Sequence, residues 1–124
     1  MDIELEKRIS KINGFGIFTK KTITKDSKFY QIPLNIVYSQ TKPRCARIAN
    51  NKYVSDDKVL NWINHSCDPN SKLDITEKNP LLIAIRDISQ NEEITVDYNQ
   101  TELGGTPVKC TCKSENCKGY FNTL

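Results

Sequence analysis

Three of the chain's cysteines, Cys110, Cys112 and Cys117, lie within eight residues of one another near the end of the sequence. The chain has five cysteines in 124 residues, and nothing at its charged N-terminal segment resembles a secretory signal. An odd number of cysteines in that context argues against a disulfide framework and favours a metal site. Three thiolates at this spacing can chelate one zinc ion tetrahedrally if a fourth ligand is supplied.

The cysteine-rich tail contains no fourth cysteine and no histidine. The remaining ligand must therefore be Cys45, Cys67 or His65, and recruiting it would fix the tail to the body of the chain. A site closed by four ligands has no open position for chemistry, so zinc is predicted to be structural here. The alternative interpretation is a set of free thiols on a loose terminus.

Short β patterns dominate the sequence before this tail. Apolar, β-branched and aromatic residues predict strands over 3–9, 17–19, 29–32, 36–38, 81–85 and 94–98, with 73–76 as a hairpin partner of 81–85. Helix is scarce: one candidate begins at Asp56 or Asp57, and residues 43–52 are a second, short one. The pattern predicts a mostly β fold of small curled sheets with short helices.

Length, composition and charge exclude several classes of protein. A chain of 124 residues predicts one domain, and its net charge of +3 is too small and too dispersed to indicate direct nucleic-acid binding. No apolar run approaches the ~20 residues that a membrane span needs. The charge density of the first eight residues argues against a signal peptide, so an intracellular location is expected.

Two further motifs are dense in groups that often mark sites. The run Asn64-His65-Ser66-Cys67-Asp68-Pro69-Asn70 is read either as a binding site or as a capped terminus followed by an Asp-Pro turn. A Cys/His or Ser/His hydrolase is disfavoured because the partners of a triad come from separated segments. Gly14 and Gly16 permit close backbone approach to a ligand, or simply a hairpin turn. A dinucleotide fingerprint is excluded because Thr19 and a predicted strand follow.

Together these segments resemble the SET-domain lysine methyltransferases that carry a post-SET zinc tail. The four motifs, in chain order, are Gly14-Phe15-Gly16-Ile17-Phe18, the run 64–70, Glu93-Ile94-Thr95-Val96-Asp97-Tyr98-Asn99, and 110–120 with its three cysteines. The resemblance covers nearly the whole chain. It implies a SET-domain fold in which the run 64–70 and the Tyr98 strand form a pseudoknot. It also implies a SET domain over 1–106 and a post-SET zinc-binding tail over 107–124.

The resemblance also assigns roles to individual residues. Tyr98 is similar to the catalytic tyrosine of the family. The residues implied to contact S-adenosylmethionine are Gly14, Phe15, Gly16, Asn64, His65, Tyr120 and Phe121. Cys67 is similar to the family's fourth zinc ligand and would complete the set Cys110, Cys112 and Cys117, which leaves Cys45 outside the site. Asn61-Trp62 departs from the Arg-Phe pair found in many members.

The implied function is transfer of a methyl group from S-adenosylmethionine to a lysine side chain of a protein or peptide substrate, such as a histone. The expected location is the cytoplasm, or the nucleus and chromatin in a eukaryotic host, with no membrane partner. The alternative function is a catalytically silent, zinc-binding module that recognises a partner protein. The presence of Tyr98 together with both cofactor segments favours the enzyme.

Overall fold

The computed structural model describes residues 4–12, 14–34, 37–38, 46–49, 52–75, 80–97, 106–110, 115 and 117–123. At residues 38, 46–49, 52, 106–109 and 120–123 only the backbone is described. No helix within these ranges is long and apolar enough to cross a membrane.

The described residues form short strands and a single turn of 3₁₀ helix, Leu60–Trp62. The strands are β1 (Leu5–Ile9), β2 (Phe15–Thr19), β3 (Lys28–Gln31), β4 (Val37–Tyr38), β5 (Ala46–Ala49), β6 (Lys52–Val54), β7 (Asn64–His65), β8 (Ser71–Asp74), β9 (Leu81–Ala84), β10 (Glu93–Val96), β11 (Thr106–Lys109) and β12 (Tyr120–Thr123). The mostly β architecture predicted from the short apolar patterns is therefore confirmed.

These strands are arranged in four small sheets rather than one large one. A four-stranded sheet has the order β1-β2-β10-β7, two three-stranded sheets have the orders β3-β9-β8 and β4-β6-β5, and β11 pairs with β12. Within the four-stranded sheet, β10 is antiparallel to β2 and parallel to β7. This sheet therefore joins the beginning, the middle and the later part of the chain.

One hydrophobic core lies between the sheets. Its fully buried members include Ile17 on β2, Phe29 on β3, Leu82 on β9 and Ile94 on β10. β2, β3 and β10 contribute β-branched or aromatic side chains here, the residue types that pack well on a pleated surface, and β9 contributes a leucine. The core thus holds together the strands that carry the motifs singled out in the sequence.

The expectation of a short helix over 43–52 is wrong where the structure describes that segment. Residues Ala46–Ala49 form β5, and Lys52–Val54 form β6, the central strand of a three-stranded sheet. β6 pairs on one side with β5 and on the other with β4. Pairing with neighbouring strands therefore overrides the weak local helix pattern.

The helix predicted from Asp56 or Asp57 is reduced to a turn and the 3₁₀ segment Leu60–Trp62. The Asp56 carboxylate accepts hydrogen bonds from the backbone N–H of Lys58 and of Leu60. Ile63, which follows, is already extended. The aspartate thus caps a tight turn, and the chain leaves it directly into β7.

The tail contains a β-hairpin that the sequence pattern did not indicate. β11 and β12 are antiparallel, with Lys109 opposite Tyr120 and Val108 opposite Phe121. The backbone N–H of Cys110 also donates to the carbonyl of Gly119. These bonds bring Cys110 and the residues after Cys117 together at one end of the hairpin.

Candidate active site and metal centre

The run 64–70 lies directly beside β10. In the parallel pairing, Asn64 is opposite Thr95 and His65 is opposite Val96. The N–H of Ser66 donates to the carbonyl of Val96 at 3.0 Å. The two motifs, far apart in the sequence, therefore meet at the end of β10, two residues before Tyr98 in the sequence.

Asn70 fixes this juxtaposition from the other end of the run. Its side chain is 1% exposed, and its Nδ2 donates to the carbonyl of Glu93 at 2.7 Å and to Glu92 Oε2 at 2.9 Å. Its Oδ1 accepts from the N–H of Thr95 at 2.9 Å and from Ser71 Oγ at 3.0 Å. Because the buried amide needs all of these partners, its hydrogen bonds stabilise only one arrangement of the 64–70 run against β10.

The turn between β1 and β2 is held against β10 by polar side chains. Ser10 N–H donates to the carbonyl of Gly14 at 2.8 Å, which closes the turn. Glu93 Oε1 accepts from Ser10 Oγ at 2.7 Å. Asn64 Nδ2 faces Ser10 Oγ at 3.1 Å, the carbonyl of Phe15 at 3.0 Å and Glu93 Oε2 at 2.9 Å. The Asn64 side chain thus fixes the glycine-containing turn to the 64–70 run.

Gly14, in this turn, and Gly16, in the first part of β2, are required for different reasons. A Cβ on Gly16 would overlap with Glu93 Oε2, would lie 2.8 Å from Glu93 Cδ and would be only 3.2 Å from Asn64 Nδ2. Gly14 has φ +46° and open space where its Cβ would be. Gly16 therefore makes room for the Glu93 carboxylate. Gly14 adopts the positive φ that the turn requires, and its surface is left open to a ligand.

A cation and two aromatic rings cover the outer side of the same turn. The Phe15 and Trp62 rings meet edge to face with centroids 6.2 Å apart. Lys7 Nζ lies 4.1 Å from the Trp62 ring centroid and 5.0 Å from that of Phe15. Trp62 Nε1 donates to the carbonyl of Asp57 at 2.7 Å. These contacts connect the 3₁₀ turn to β1 and β2, so Trp62 acts here as a packing residue beside the turn.

The structure brings three potential metal ligands together. His65, Cys67 and Cys110 each place a ligand atom within 4.8 Å of the other two. The sulfurs of Cys67 and Cys110 are 3.9 Å apart. Tetrahedral zinc with Zn–S distances of about 2.3 Å separates its sulfurs by about 3.8 Å, so these two thiols fit a zinc site.

Backbone N–H groups point at the sulfurs of this region. Lys118 N–H lies 3.3 Å from Cys67 Sγ, and Gly119 N–H lies 3.4 Å from Cys117 Sγ. The backbone at residues 118 and 119 therefore contacts both sulfurs. No disulfide involves these cysteines of the described part of the chain.

The His65 ring is buried between the cysteines and a carboxylate. Its Nε2 is 3.3 Å from Cys67 Sγ, and its Nδ1 is 3.6 Å from Asp97 Oδ1. Burial lowers the pKa of His65 below its ordinary value, against the opposing effect of Asp97. The imidazole is therefore neutral at pH 7. Its side chain faces Cys67 of the candidate metal centre and Asp97.

Several predicted site residues lie outside these observations. Tyr98 and Cys112 are not among the described residues, and only the backbone is described at Tyr120 and Phe121. Cys117 is described but is not a member of the compact group of three ligands. The structure therefore brings together Gly14, Phe15, Gly16, Asn64, His65, Cys67 and Cys110 around one end of the four-stranded sheet.

Three polar residues of this region were not singled out by sequence reasoning. Ser10 and Glu93 fix the glycine turn, and Asp97 contacts His65. Glu93 and Asp97 stand within the motif around Tyr98, so their acidic character was the available signal. Ser10 gave none, because a serine before a turn is common.

Comparison with known proteins identifies the family of this arrangement. The SET domain family model matches residues 14–99, the span that runs from the glycine turn to the end of the Tyr98 motif. The chain belongs to the SET domain family. The SET-domain resemblance seen in the motifs is thereby confirmed, whereas the post-SET nature of the tail and the division at 106/107 stay predictions.

Relatives of this SET domain include histone-lysine N-methyltransferases of fungi. The H3 lysine-4-specific histone-lysine N-methyltransferase of Chaetomium globosum is 30% identical over 91% of this chain, which spans 13% of that protein. The corresponding enzyme of Neurospora crassa is 29% identical over 91% of the chain, which spans 10% of it. The chain therefore covers only a small part of these relatives' length.

Solved structures share the SET fold at low sequence identity. The methyltransferase domain of human SETMAR has a TM-score of 0.72 at 16% identity, with 98% of this chain and 58% of that one aligned. KRYPTONITE in complex with mCHH DNA, an H3(1–15) peptide and SAH has a TM-score of 0.76 at 21% identity, with 97% of this chain and 30% of that one aligned. These likenesses establish the fold of the SET domain.

Proposed function

We propose that this SET domain is an S-adenosylmethionine-dependent protein-lysine N-methyltransferase. The observation that carries the proposal is the parallel pairing of β7 with β10, which sets Asn64 and His65 beside the strand that leads into Tyr98. The glycine turn is fixed to the same place by Asn64 and Glu93. The histone-lysine methyltransferase relatives support the same activity.

The residues around the glycine turn fit a bound S-adenosylmethionine. The open surface beside Gly14 leaves room for a ligand next to the backbone, and Asn64 holds that backbone in place. When bound, S-adenosylmethionine supplies a methyl group on a positively charged sulfur. The chain's part is to hold the turn, exclude water and orient the incoming amine, because positioning alone can account for large rate effects.

The nucleophile is a lysine amine, which must be neutral to react. Free lysine has a pKa of about 10.4, and a desolvating channel lowers it because burial disfavours the ammonium form. The hydroxyl oxygen of Tyr98 is proposed to accept a hydrogen bond from an N–H of that amine, which leaves the amine lone pair free to point at the methyl group. The substrate class is a protein or peptide lysine, with a histone tail as the first candidate, and the proposed place of action is chromatin.

We further propose that zinc is bound by Cys67, Cys110, Cys112 and Cys117 and has a structural role. The separation of Cys67 and Cys110 and the N–H groups directed at sulfur support this set. Zinc there would join the tail to the 64–70 run. The tail hairpin, with Tyr120 and Phe121, would then be held next to the cofactor-binding segments.

The activity is tested by incubating the purified chain with isotope-labelled S-adenosylmethionine and a histone H3 peptide, intact histones or a protein extract. The expected result is label on lysine, identified by mass spectrometry, and its loss in Tyr98→Phe. Zinc-loaded, folded protein that labels nothing in any of these mixtures would contradict the enzyme and support the silent, partner-binding module.

A further inference from the structure

A closed ring of contacts connects the tail, the 64–70 run and the end of β10. Cys67 Sγ contacts His65 Nε2 at 3.3 Å, and His65 Nδ1 lies 3.6 Å from Asp97 Oδ1. The other carboxylate oxygen, Asp97 Oδ2, lies 3.9 Å from Lys118 Nζ. The backbone N–H of Lys118 donates to Cys67 Sγ at 3.3 Å, and this contact closes the ring.

Asp97 connects this ring of contacts to the proposed catalytic tyrosine, which follows it in the sequence. Asp97 is the residue immediately before Tyr98, and its side chain is only 8% exposed. A buried carboxylate is costly unless opposite charge and hydrogen-bond donors surround it. Here the Lys118 ammonium, from the tail, faces one of its two oxygens, and the neutral His65 ring, from the 64–70 run, lies 3.6 Å from the other. The residue that follows β10 therefore contacts groups that themselves lie against Cys67, a ligand of the candidate metal centre.

We propose that Asp97, His65 and Lys118 form a latch through which docking of the zinc tail sets the end of β10, and hence the position of Tyr98. Asp97 and Lys118 are positioning residues: they act through Tyr98 and the tail. The inference rests on the zinc site proposed above in one respect, which is that metal is what holds the tail cysteines together. It goes beyond that site by assigning a coupling between metal binding and the geometry of the proposed catalytic strand.

The coupling must work in both directions. If zinc stabilises the arrangement at Asp97, then Asp97 and Lys118 stabilise bound zinc by the same factor. Partners just outside a metal's ligands typically change metal affinity by about 10- to 100-fold when mutated. Lys118 has a side chain that is 59% exposed, so its contribution is reduced by solvent and is expected to be smaller than that of His65.

The first test measures the rate of zinc release from the holoprotein to a chromogenic chelator. Lys118→Met is expected to speed release about two- to fivefold, with Lys72→Met, an exposed lysine of β8, as the matched control. Asp97→Asn and His65→Gln are expected to speed it about tenfold. Asp68→Asn is the control for Asp97→Asn, because it removes the same charge one residue from Cys67 and its carboxylate has no hydrogen bond or ion pair with the described residues.

The double variant Asp97→Asn/Lys118→Met separates a latch from two independent effects. If the two residues act as one unit, the double variant releases zinc no faster than Asp97→Asn alone. Rates that multiply, or a Lys118→Met rate equal to that of Lys72→Met, would overturn the proposal. Lys118→Met is on the surface and is expected to fold, so this arm does not depend on the buried variants.

The second test measures amide hydrogen exchange in β10 itself. Removing zinc from the parent protein is expected to raise amide hydrogen exchange in the segment 93–97 more than in β8 and β9. Unchanged exchange at 93–97 after complete zinc removal would refute the coupling. If the purified protein holds no zinc, the zinc proposal fails by itself. The latch is then judged by exchange at 117–119, which Lys118→Met must accelerate relative to Lys72→Met for the latch to survive.

Discussion

At the scale of single residues, most of the polar side chains described at the site form hydrogen bonds that position the backbone around the glycine turn. Asn64 was expected to contact the cofactor, and in the structure its amide nitrogen faces Ser10, the Phe15 carbonyl and Glu93. Its effect on cofactor binding is therefore expected to pass through the glycine turn. Mutations in this group should alter binding before they alter the chemical step.

Gly16→Ala tests the close contact between the turn and β10. The added Cβ would overlap with the Glu93 carboxylate, and overpacking of this kind costs about 1–3 kcal/mol. We expect a lower free energy of unfolding in urea and weaker binding of S-adenosylmethionine in calorimetry. Glu93→Ala in the Gly16→Ala background should recover part of the stability. A double variant less stable than either single one would show that the clash is not the cause.

Tyr98→Phe and Asn64→Ala should separate turnover from binding. Removing only the Tyr98 hydroxyl is expected to reduce kcat about a hundredfold with little change in cofactor affinity, because positioning of the amine is lost. Asn64→Ala should weaken cofactor binding about tenfold, since the turn loses hydrogen bonds worth about 1 kcal/mol each. Kinetics at saturating cofactor and a direct binding measurement check both. Equal kcat in Tyr98→Phe and the parent would remove Tyr98 from its assigned role.

At the scale of elements, the pairing of β7 with β10 depends on Asn70. Asn70→Ala leaves the buried N–H of Thr95 without its side-chain acceptor, and an unsatisfied buried group costs about 1–3 kcal/mol. We expect the free energy of unfolding to fall by about 3 kcal/mol, because several bonds are lost together. Ser71→Ala, which removes one hydroxyl bonded to the same amide, is the control and should cost about 1 kcal/mol. Similar losses of unfolding free energy in both variants would argue against Asn70 as the residue on which the β7–β10 pairing depends.

The contact between β3 and the Asp56 turn predicts a dependence on alkaline pH. Tyr30 Oη donates to Asp56 Oδ2 at 2.6 Å, and burial, this hydrogen bond and the Asp56 charge together raise the pKa of Tyr30. The neutral phenol is the form that the fold favours. Its contribution to stability is complete below the ordinary tyrosine pKa of about 10 and is lost as the pH rises toward the raised value in the folded protein.

Tyr30→Phe should therefore be less stable than the parent at pH 7 by about 1 kcal/mol, the worth of one hydrogen bond. The difference should shrink between pH 10 and 12. Urea unfolding of both proteins across this range measures it. A difference that stays constant with pH would show that titration of Tyr30 does not contribute.

The strands could be predicted from the sequence where β-branched and aromatic residues are dense, as in β9 and β10. β5 could not, because residues 46–49 have no strand-like alternation and form a strand only by pairing with β6. Contacts between distant residues likewise limit how much of the candidate site could be predicted. Motif residues identified Gly16, Asn64 and Cys67, but the role of Ser10 depends on a contact with Glu93 that only the folded chain creates.

At the scale of the whole molecule, the proposed metal site should join distant segments into one unit. Cys67→Ser and Cys112→Ser should both abolish stoichiometric zinc binding and lower the Tm by about 4 °C or more, although the two cysteines stand far apart in the sequence. Cofactor affinity should fall in parallel, because the tail is proposed to flank the cofactor site. Metal analysis, thermal unfolding and calorimetry check the three effects.

Cys45→Ser is the matched control for that prediction and should retain one zinc per chain. Loss of zinc in Cys45→Ser with retention in Cys67→Ser would reassign the fourth ligand. A tail that loosens while cofactor affinity stays unchanged would separate the tail from the cofactor site.

The parallel pairing of residues 64–65 with 95–96 also has a kinetic consequence. Strands that are far apart in the chain must close a long loop before they gain any contact energy, so such pairings form slowly. Hairpins such as β1–β2 and β8–β9 are local and can form earlier. Because the two principal motifs meet only through the late pairing, no partly folded precursor contains the site. In a refolding experiment, binding of cofactor should therefore appear with the slowest phase, after most of the β signal has already formed.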